Sequence, residues 1–331
     1  MVPMKLVSGR RCKTSIGAFV LVSLATVVSA QQTEPLRRIG FLGMDSRMQA
    51  SPFAAFRDGM RQQGYVEGDN LVIESRWAEG RFDKLPALAA ELAAQKVEVI
   101  VTAAPPAVRA AKSATATIPI VMIVHNPVGM GFAASYARPG GNITGIAFQD
   151  SELSTKRLDL LRSVVPNLKR VAIMWNQAGG GQDAVRAVES AAEAVRIETK
   201  AFEVRGPTDI PAAVADAKTW GAHGLVQLAS PVITLNRKDL LASLAASRMP
   251  ATCEMRVYVE EGCLMTYSAD LSAMFRDLAS FTVRILKGAK PSDLPIQQPR
   301  EFDFLVNLKT AQTLGLTIPS VVLIQMTKGI R

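Results

Sequence analysis

Apolar and polar positions alternate along the chain in two distinct rhythms, and the clearest stretch is Ile118 to Val124, a near-continuous apolar run that stops at His125-Asn126-Pro127. That pattern predicts a parallel strand covered by helices on both faces, followed by a loop at its carboxyl end. In open α/β sheets ligands bind at that end, where the chain changes direction. The same rhythm precedes it. Arg38 to Gly43, the alternating Leu71, Ile73 and Ser75, and Val97 to Thr102 read as strands. Between them Phe53, Phe56 and Met60 mark one face of a helix ending at Gly64, and Leu85, Leu88 and Leu92 mark another, with Pro86 tolerated in its first turn. A third helix follows Ala103-Ala104-Pro105-Pro106 and runs to about Ser113.

Arg138-Pro139-Gly140-Gly141-Asn142 cannot continue a helix, and Ile143 to Ile146 resumes an extended pattern. We read this as the chain leaving one α/β lobe for another. The rhythm then repeats: a helix from Glu152 to Val165, strands starting near Arg170, Ile197, Gly224 and Pro250, and helices at Gln182–Arg196, Asp209–Trp220 and Leu235–Ser247. Gly262 to Tyr267 is extended again, and feeds a helix from Ser272 to Lys287. A proline-studded loop from Pro291 to Pro299, a strand Phe302–Val306 and a helix Leu308–Leu314 follow.

A chain of 331 residues with 48% hydrophobic composition exceeds what one core usually covers. Two lobes are therefore expected, and the predicted fold is α/β, two doubly wound parallel-sheet lobes, with crossings placed near Thr144-Gly145, Met265-Thr266 and Pro299 because each marks a shift between lobe-like repeats. Residues 31–145 and 266–298 are assigned to lobe 1, and residues 146–265 and 299–331 to lobe 2. Residues 1–30 differ in kind: Lys5, Arg10, Arg11 and Lys13 precede an apolar run from Ile16 to Val28 that ends in Ser29-Ala30, the pattern of a cleavable secretory signal peptide. That implies export to the periplasm, by the general or the twin-arginine route. Cys12 lies ahead of the apolar run, which argues against a lipid-modified cysteine, and no later stretch is apolar and long enough to span a membrane.

Without that segment's four basic residues the formal +9 falls to +5. The remaining bases, such as Arg157, Arg162, Lys169 and Arg170, are scattered and read as a solvated face, so no nucleic-acid partner is expected. Two cysteines remain, Cys253 and Cys263, either a disulfide or two buried thiols.

Loops at strand ends would line one cleft and supply the candidate ligand-binding residues. These are Asp45, Ser46, Thr102, Ala104, Pro105, His125, Asn126, Trp175, Asn176, Ser230, Glu254 and Tyr267. Helix N-termini just beyond several of them offer backbone donors to a carboxylate, above all between Thr102 and Ala107. Asp45 or Glu254 suits an ammonium, and Trp175 or Tyr267 suits a flat ligand; Asp45 and Ser46 equally suit a helix cap, and Trp175 a core position. His125 has no second ligand at metal spacing, and no metal or other cofactor is expected. The chain lacks G-x-S-x-G, H-E-x-x-H and Walker patterns, and His125 and His223 are its only histidines, so no catalytic constellation can be assembled. Gly179-Gly180-Gly181 between a strand and a helix keeps a secreted α/β enzyme on a small phosphorylated or carboxylated substrate as the alternative.

Several stretches taken together resemble one family. They are Gly64-Tyr65-Val66-Glu67-Gly68, Ala78-Glu79-Gly80-Arg81, Ile118-Pro119-Ile120-Val121, Asn126-Pro127-Val128-Gly129, Arg138-Pro139-Gly140-Gly141-Asn142-Ile143-Thr144-Gly145, Leu286-Lys287-Gly288-Ala289-Lys290-Pro291 and Asn307-Leu308-Lys309-Thr310-Ala311. Their order and spacing are similar to the ABC transporter substrate-binding proteins that include tryptophan and tyrosine binders. The resemblance implies a type I periplasmic binding fold with its two lobes joined by a three-crossing hinge, a monomer closing on a small ligand, and delivery to an ABC permease and its ATPase. The chain departs from the family pattern at Asn126-Pro127, usually Asp-Pro, at Tyr267-Ser268-Ala269, usually Tyr-Gly-Pro, and in its basic tail.

Overall fold

The computed structural model describes residues 36–179 and 181–330, so the expected signal segment lies outside the described residues. The first sheet is assembled from β1 (Arg37–Gly43), α1 (Ala50–Gln62), β2 (Leu71–Trp77), α2 (Leu85–Ala94), β3 (Ile100–Ala103), α3 (Pro105–Ala114), β4 (Ile120–His125) and β5 (Ile143–Phe148). Its strands run parallel in the order β2-β1-β3-β4-β5, and β3 and β4 are buried along their whole length. The apolar runs in the sequence have this cause, since a strand covered on both faces has no polar side.

The chain then builds α4 (Asp150–Val164), β6 (Arg170–Trp175), α5 (Gln182–Ala194), β7 (Glu198–Glu203), α6 (Asp209–Trp220), β8 (Gly224–Gln227), α7 (Pro231–Leu235), α8 (Arg237–Ser247), β9 (Ala251–Cys253), α9 (Arg256–Glu260) and β10 (Met265–Ala269). After α10 (Leu271–Leu286) come β11 (Phe302–Asn307), α11 (Leu308–Leu314), α12 (Ser320–Gln325) and β12 (Lys328–Ile330). The second sheet has seven strands in the order β12-β11-β10-β9-β8-β6-β7. It is parallel except for the β10–β11 pair, which the expectation of an all-parallel sheet did not include.

Two expected crossings fall inside strands. β5 stays paired to β4 as far as Phe148, opposite His125, so the chain leaves the first sheet after residue 148 and not at Gly145. Gly145 is not a break but a close approach within the strand: at φ +142 an added Cβ would stand 2.1 Å from the Met122 carbonyl oxygen. All of β10 belongs to the second sheet, and the return to the first comes at α10, whose Met274, Phe275 and Leu278 share one core with Phe41 and Phe56. The chain then runs along β5, where Gln297 donates to the Gly145 carbonyl at 3.0 Å and accepts from Ala147 at 2.8 Å, before β11 rejoins the second sheet.

Cys253 and Cys263 form a disulfide with Cα atoms 6.5 Å apart. It ties the end of β9 to the start of β10 and encloses α9.

Candidate functional site

The carboxyl ends of β3, β4 and β5 open on a cavity of about 500 Å³ whose other wall comes from the second sheet. Ala103, His125 and Phe148 stand at those three strand ends, the turn before α1 adds Met48, and α1 and α10 add Pro52, Leu271 and Phe275. The opposite wall is built from Ala229–Pro231, Thr234, Leu235, Arg237 and Glu254–Val257. Most of this lining is apolar, with a few polar groups placed against it, the usual composition of a small-molecule site.

On the first wall, Phe148 and Phe275 both lie on the cavity, and the Phe148 and His125 ring centroids are 5.6 Å apart. His125 is only 5% exposed, and its Nε2 has no hydrogen-bond partner in the protein. A buried ring nitrogen left unpaired beside a cavity is a group that a ligand can satisfy. Ser51 and Ser272, on α1 and α10, bring their hydroxyls to 3.4 Å of each other on the same wall.

The second wall centres on Glu254, 7% exposed. Its Oε2 accepts from the Ser230 backbone N–H at 3.1 Å, and Oε1 contacts the Thr234 hydroxyl. The Tyr258 hydroxyl donates to Thr234 Oγ1 at 2.9 Å, and Thr234 reaches the Ser230 carbonyl at 2.8 Å. Burial pushes the Glu254 carboxyl up to about 8, and the nearby Asp150 charge adds to that, while Thr234, Arg157 and the Ser230 N–H pull the other way.

Arg157 holds this wall from behind. It is 2% exposed, which overturns its reading as part of a solvated face. Its Nε donates to the Tyr267 carbonyl at 2.9 Å, its Nη2 to the Glu254 carbonyl at 3.1 Å, and its Nη1 stands 3.5 Å from the Asp150 carboxylate. Burial lowers its pKa, opposed by the charges of Asp150 and Glu254. At the mouth, Arg256 grips Asp303 with two nitrogens, one at 3.0 Å, and Arg237 pairs with Glu261 at 2.6 Å.

Of the residues expected from sequence, Ala104, Pro105, His125, Ser230 and Glu254 line the cavity. The others are placed elsewhere. Asp45 Oδ1 accepts from the backbone of Arg47 and Met48 at 3.0 and 2.9 Å, closing the turn before α1, with Ser46 inside that turn. The Thr102 hydroxyl donates to the Leu42 carbonyl at 2.8 Å and joins β3 to β1. Asn176 is consumed by the Val204 carbonyl and the Gly179 N–H, and Trp175 packs beside the Leu158 and Val171 core. Tyr267 stacks on Phe302, centroids 5.9 Å apart, in the second sheet and not in the first lobe. Asn126 lies at the side of the cleft and bridges it, donating to the Asp183 carboxylate at 2.5 Å.

The helix start expected to be rich in donors between Thr102 and Ala107 is poor in them. Pro105 and Pro106 open α3 and have no N–H, and the Ala104 N–H is already taken by the Ile123 carbonyl at 2.9 Å. Phe148, missed from sequence, had a readable signal. Extending the expected strand from Ile146 by two residues puts it at the same strand end as His125. Phe275 carried no such signal, because only tertiary packing brings α10 back to the first sheet.

Among the described residues no group of His, Cys, Asp and Glu could hold a metal ion, and no helix is long and apolar enough to cross a membrane. Residues 41–330 match the family described as ABC transporter substrate binding protein. A tyrosine-binding protein of Clostridioides difficile is 21% identical over 264 residues, covering 79% of this chain and 75% of its own. Among solved structures, an ABC domain in complex with L-Trp from Streptococcus pneumonia has a TM-score of 0.82 at 25% identity, covering 89% of this chain and 99% of that one. The ligand-free, open structure of a substrate-binding protein with adhesive properties from Clostridium difficile reaches 0.69 at 20% identity, again over 89% of this chain and 99% of its own. LacI-type regulators, such as one from Bifidobacterium animalis, share the fold at 12% identity with a TM-score of 0.58, over 82% of this chain and 96% of that one.

Proposed function

The chain belongs to the ABC transporter substrate-binding protein family, whose members are solute-binding proteins and not enzymes, and from that premise we propose that its cleft carries an aromatic amino acid to a membrane permease. The observation that carries this reading is the pairing of opposite walls: Phe148 and Phe275 on one, the buried carboxyl of Glu254 on the other. An aromatic side chain suits the first and an ammonium group the second. His125 Nε2 and the hydroxyls of Ser51 and Ser272 supply polar contacts for the remaining carboxylate.

In this reading the protein works outside the cytoplasm as a monomer, and its partners are the permease and the ATPase of one importer. A ligand that touches both walls favours the closed arrangement by its differential affinity for it. The names of the tyrosine-binding relative and the tryptophan-bound neighbour support the ligand class. A thermal-shift screen of the chain without its first 30 residues against the amino acids, nucleosides and small organic acids tests it. Aromatic amino acids should raise the melting temperature through mass action. Stabilisation by nucleosides or organic acids alone would replace this ligand class with another.

A further inference from the structure

Glu254 faces the cavity without a counter-cation of its own. Of the charged groups packed around it, Arg157 and Asp150 on α4 neutralise each other, and Arg237 at the start of α8 is engaged by Glu261. From α9 comes Tyr258, and across the cavity from β4 comes His125. The proton count in this cluster is instructive. Three oxygen-to-oxygen contacts converge on Thr234 Oγ1, from Tyr258 Oη, the Ser230 carbonyl and Glu254 Oε1. Tyr258 and Thr234 own one hydroxyl proton each, which serves two of the three contacts. The third is served if Glu254 brings its own.

Resting on the ligand class proposed above, we infer that Glu254 is the specificity-determining residue of the cleft, a neutral acid in the empty protein that exchanges its proton for the ammonium group of the ligand. Binding converts Glu254–COOH and R–NH₃⁺ into the pair Glu254–COO⁻···⁺H₃N–R and releases one proton to solvent. Burial, which holds the carboxyl up near 8, supports the same picture. An otherwise identical carboxylic acid that lacks the nitrogen leaves Glu254 neutral and forgoes that ion pair, so the cleft prefers the amine.

Two measurements decide it. The first is the titration of Glu254 in the ligand-free protein, followed by NMR of carboxyl-labelled glutamate and assigned with Glu254→Gln. The second is calorimetry at neutral pH in two buffers of different ionisation enthalpy, with L-tryptophan and with indole-3-propionate, which lacks only the amine. We expect titration well above the ordinary glutamate range, about one proton released per L-tryptophan bound and none with indole-3-propionate. We expect at least a tenfold preference for the amine, lost in Glu254→Gln. Binding of both compounds with equal affinity and without proton release overturns the inference. If neither binds, the aromatic amino acid reading fails, while a Glu254 that titrates as an ordinary carboxylate in the empty protein overturns this inference on its own.

Discussion

The Asn126 side-chain amide, just past the end of β4 in the first sheet, donates to the carboxylate of Asp183 on α5 in the second at 2.5 Å. Asn126 Oδ1 at the same time accepts from the Gly129 N–H at 2.9 Å, which fixes the loop at φ +40. An aspartate at position 126 would set a second carboxylate against Asp183. The contact is exposed, so its worth is modest. Asn126→Ala should weaken ligand affinity by about 0.5–1.5 kcal/mol through loss of the closed arrangement. Asn126→Asp should weaken it at least as much at low salt and less at high salt. Calorimetry at two ionic strengths checks both.

Arg157 joins α4 to the carbonyls of Glu254 and Tyr267, so its loss should be felt twice. Arg157→Met leaves Asp150 buried and unpaired and should cost about 3–5 kcal/mol of stability. The double change with Asp150→Leu should recover a large part of that, yet ligand affinity should stay reduced, because the Glu254 backbone has lost its support. Urea unfolding and calorimetry of the three proteins separate the two effects.

The disulfide encloses the segment that carries Glu254, Met255, Arg256 and Val257, with a sequence separation of 10. By loop-closure entropy it should contribute about 2–3 kcal/mol to stability. Replacing both cysteines by serine should lower the unfolding free energy by that amount, with a lower melting temperature, and weaken ligand affinity as well. Unchanged affinity in the double serine variant would restrict the bridge to a stabilising role.

Glu254 also sets a pH dependence of stability. Its carboxyl is raised from 4.5 in the unfolded chain to about 8 in the folded one, so between those values the folded protein keeps a proton that the unfolded chain has released. Stability from this group is therefore full below about pH 4.5 and is lost as pH rises towards 8. Glu254→Gln should flatten that slope. Urea midpoints of both proteins between about pH 5 and about pH 8.5 test the sign.

The strand ends were legible because burial on both faces leaves its mark in composition. Ile120–His125 and Gly224–Gln227 are buried along their whole length and apolar but for their last residues, and His125, Ser230 and Glu254 followed from standing at or just past such ends. What sequence alone misplaced has specific causes. Gly145 looks like a break but is a close approach to Met122, and reading it as a crossing hid Phe148. Thr102, Asp45 and Asn176 carry polar groups at the right places, but their partners lie in neighbouring strands or in their own turns. Arg157 sits among leucines on α4, a pattern that marks a buried cation only when the carbonyls awaiting it are known.

The central claim is that one ligand is held by both walls of the cleft. It is tested most directly by calorimetric titration of L-tryptophan into the wild-type protein, Phe148→Ala from the first wall and Glu254→Ala from the second. We predict one site per chain and a loss of about 1–3 kcal/mol in each variant, with the fold intact by circular dichroism. Wild-type affinity in either variant would contradict the account, because the ligand would then rest on a single wall.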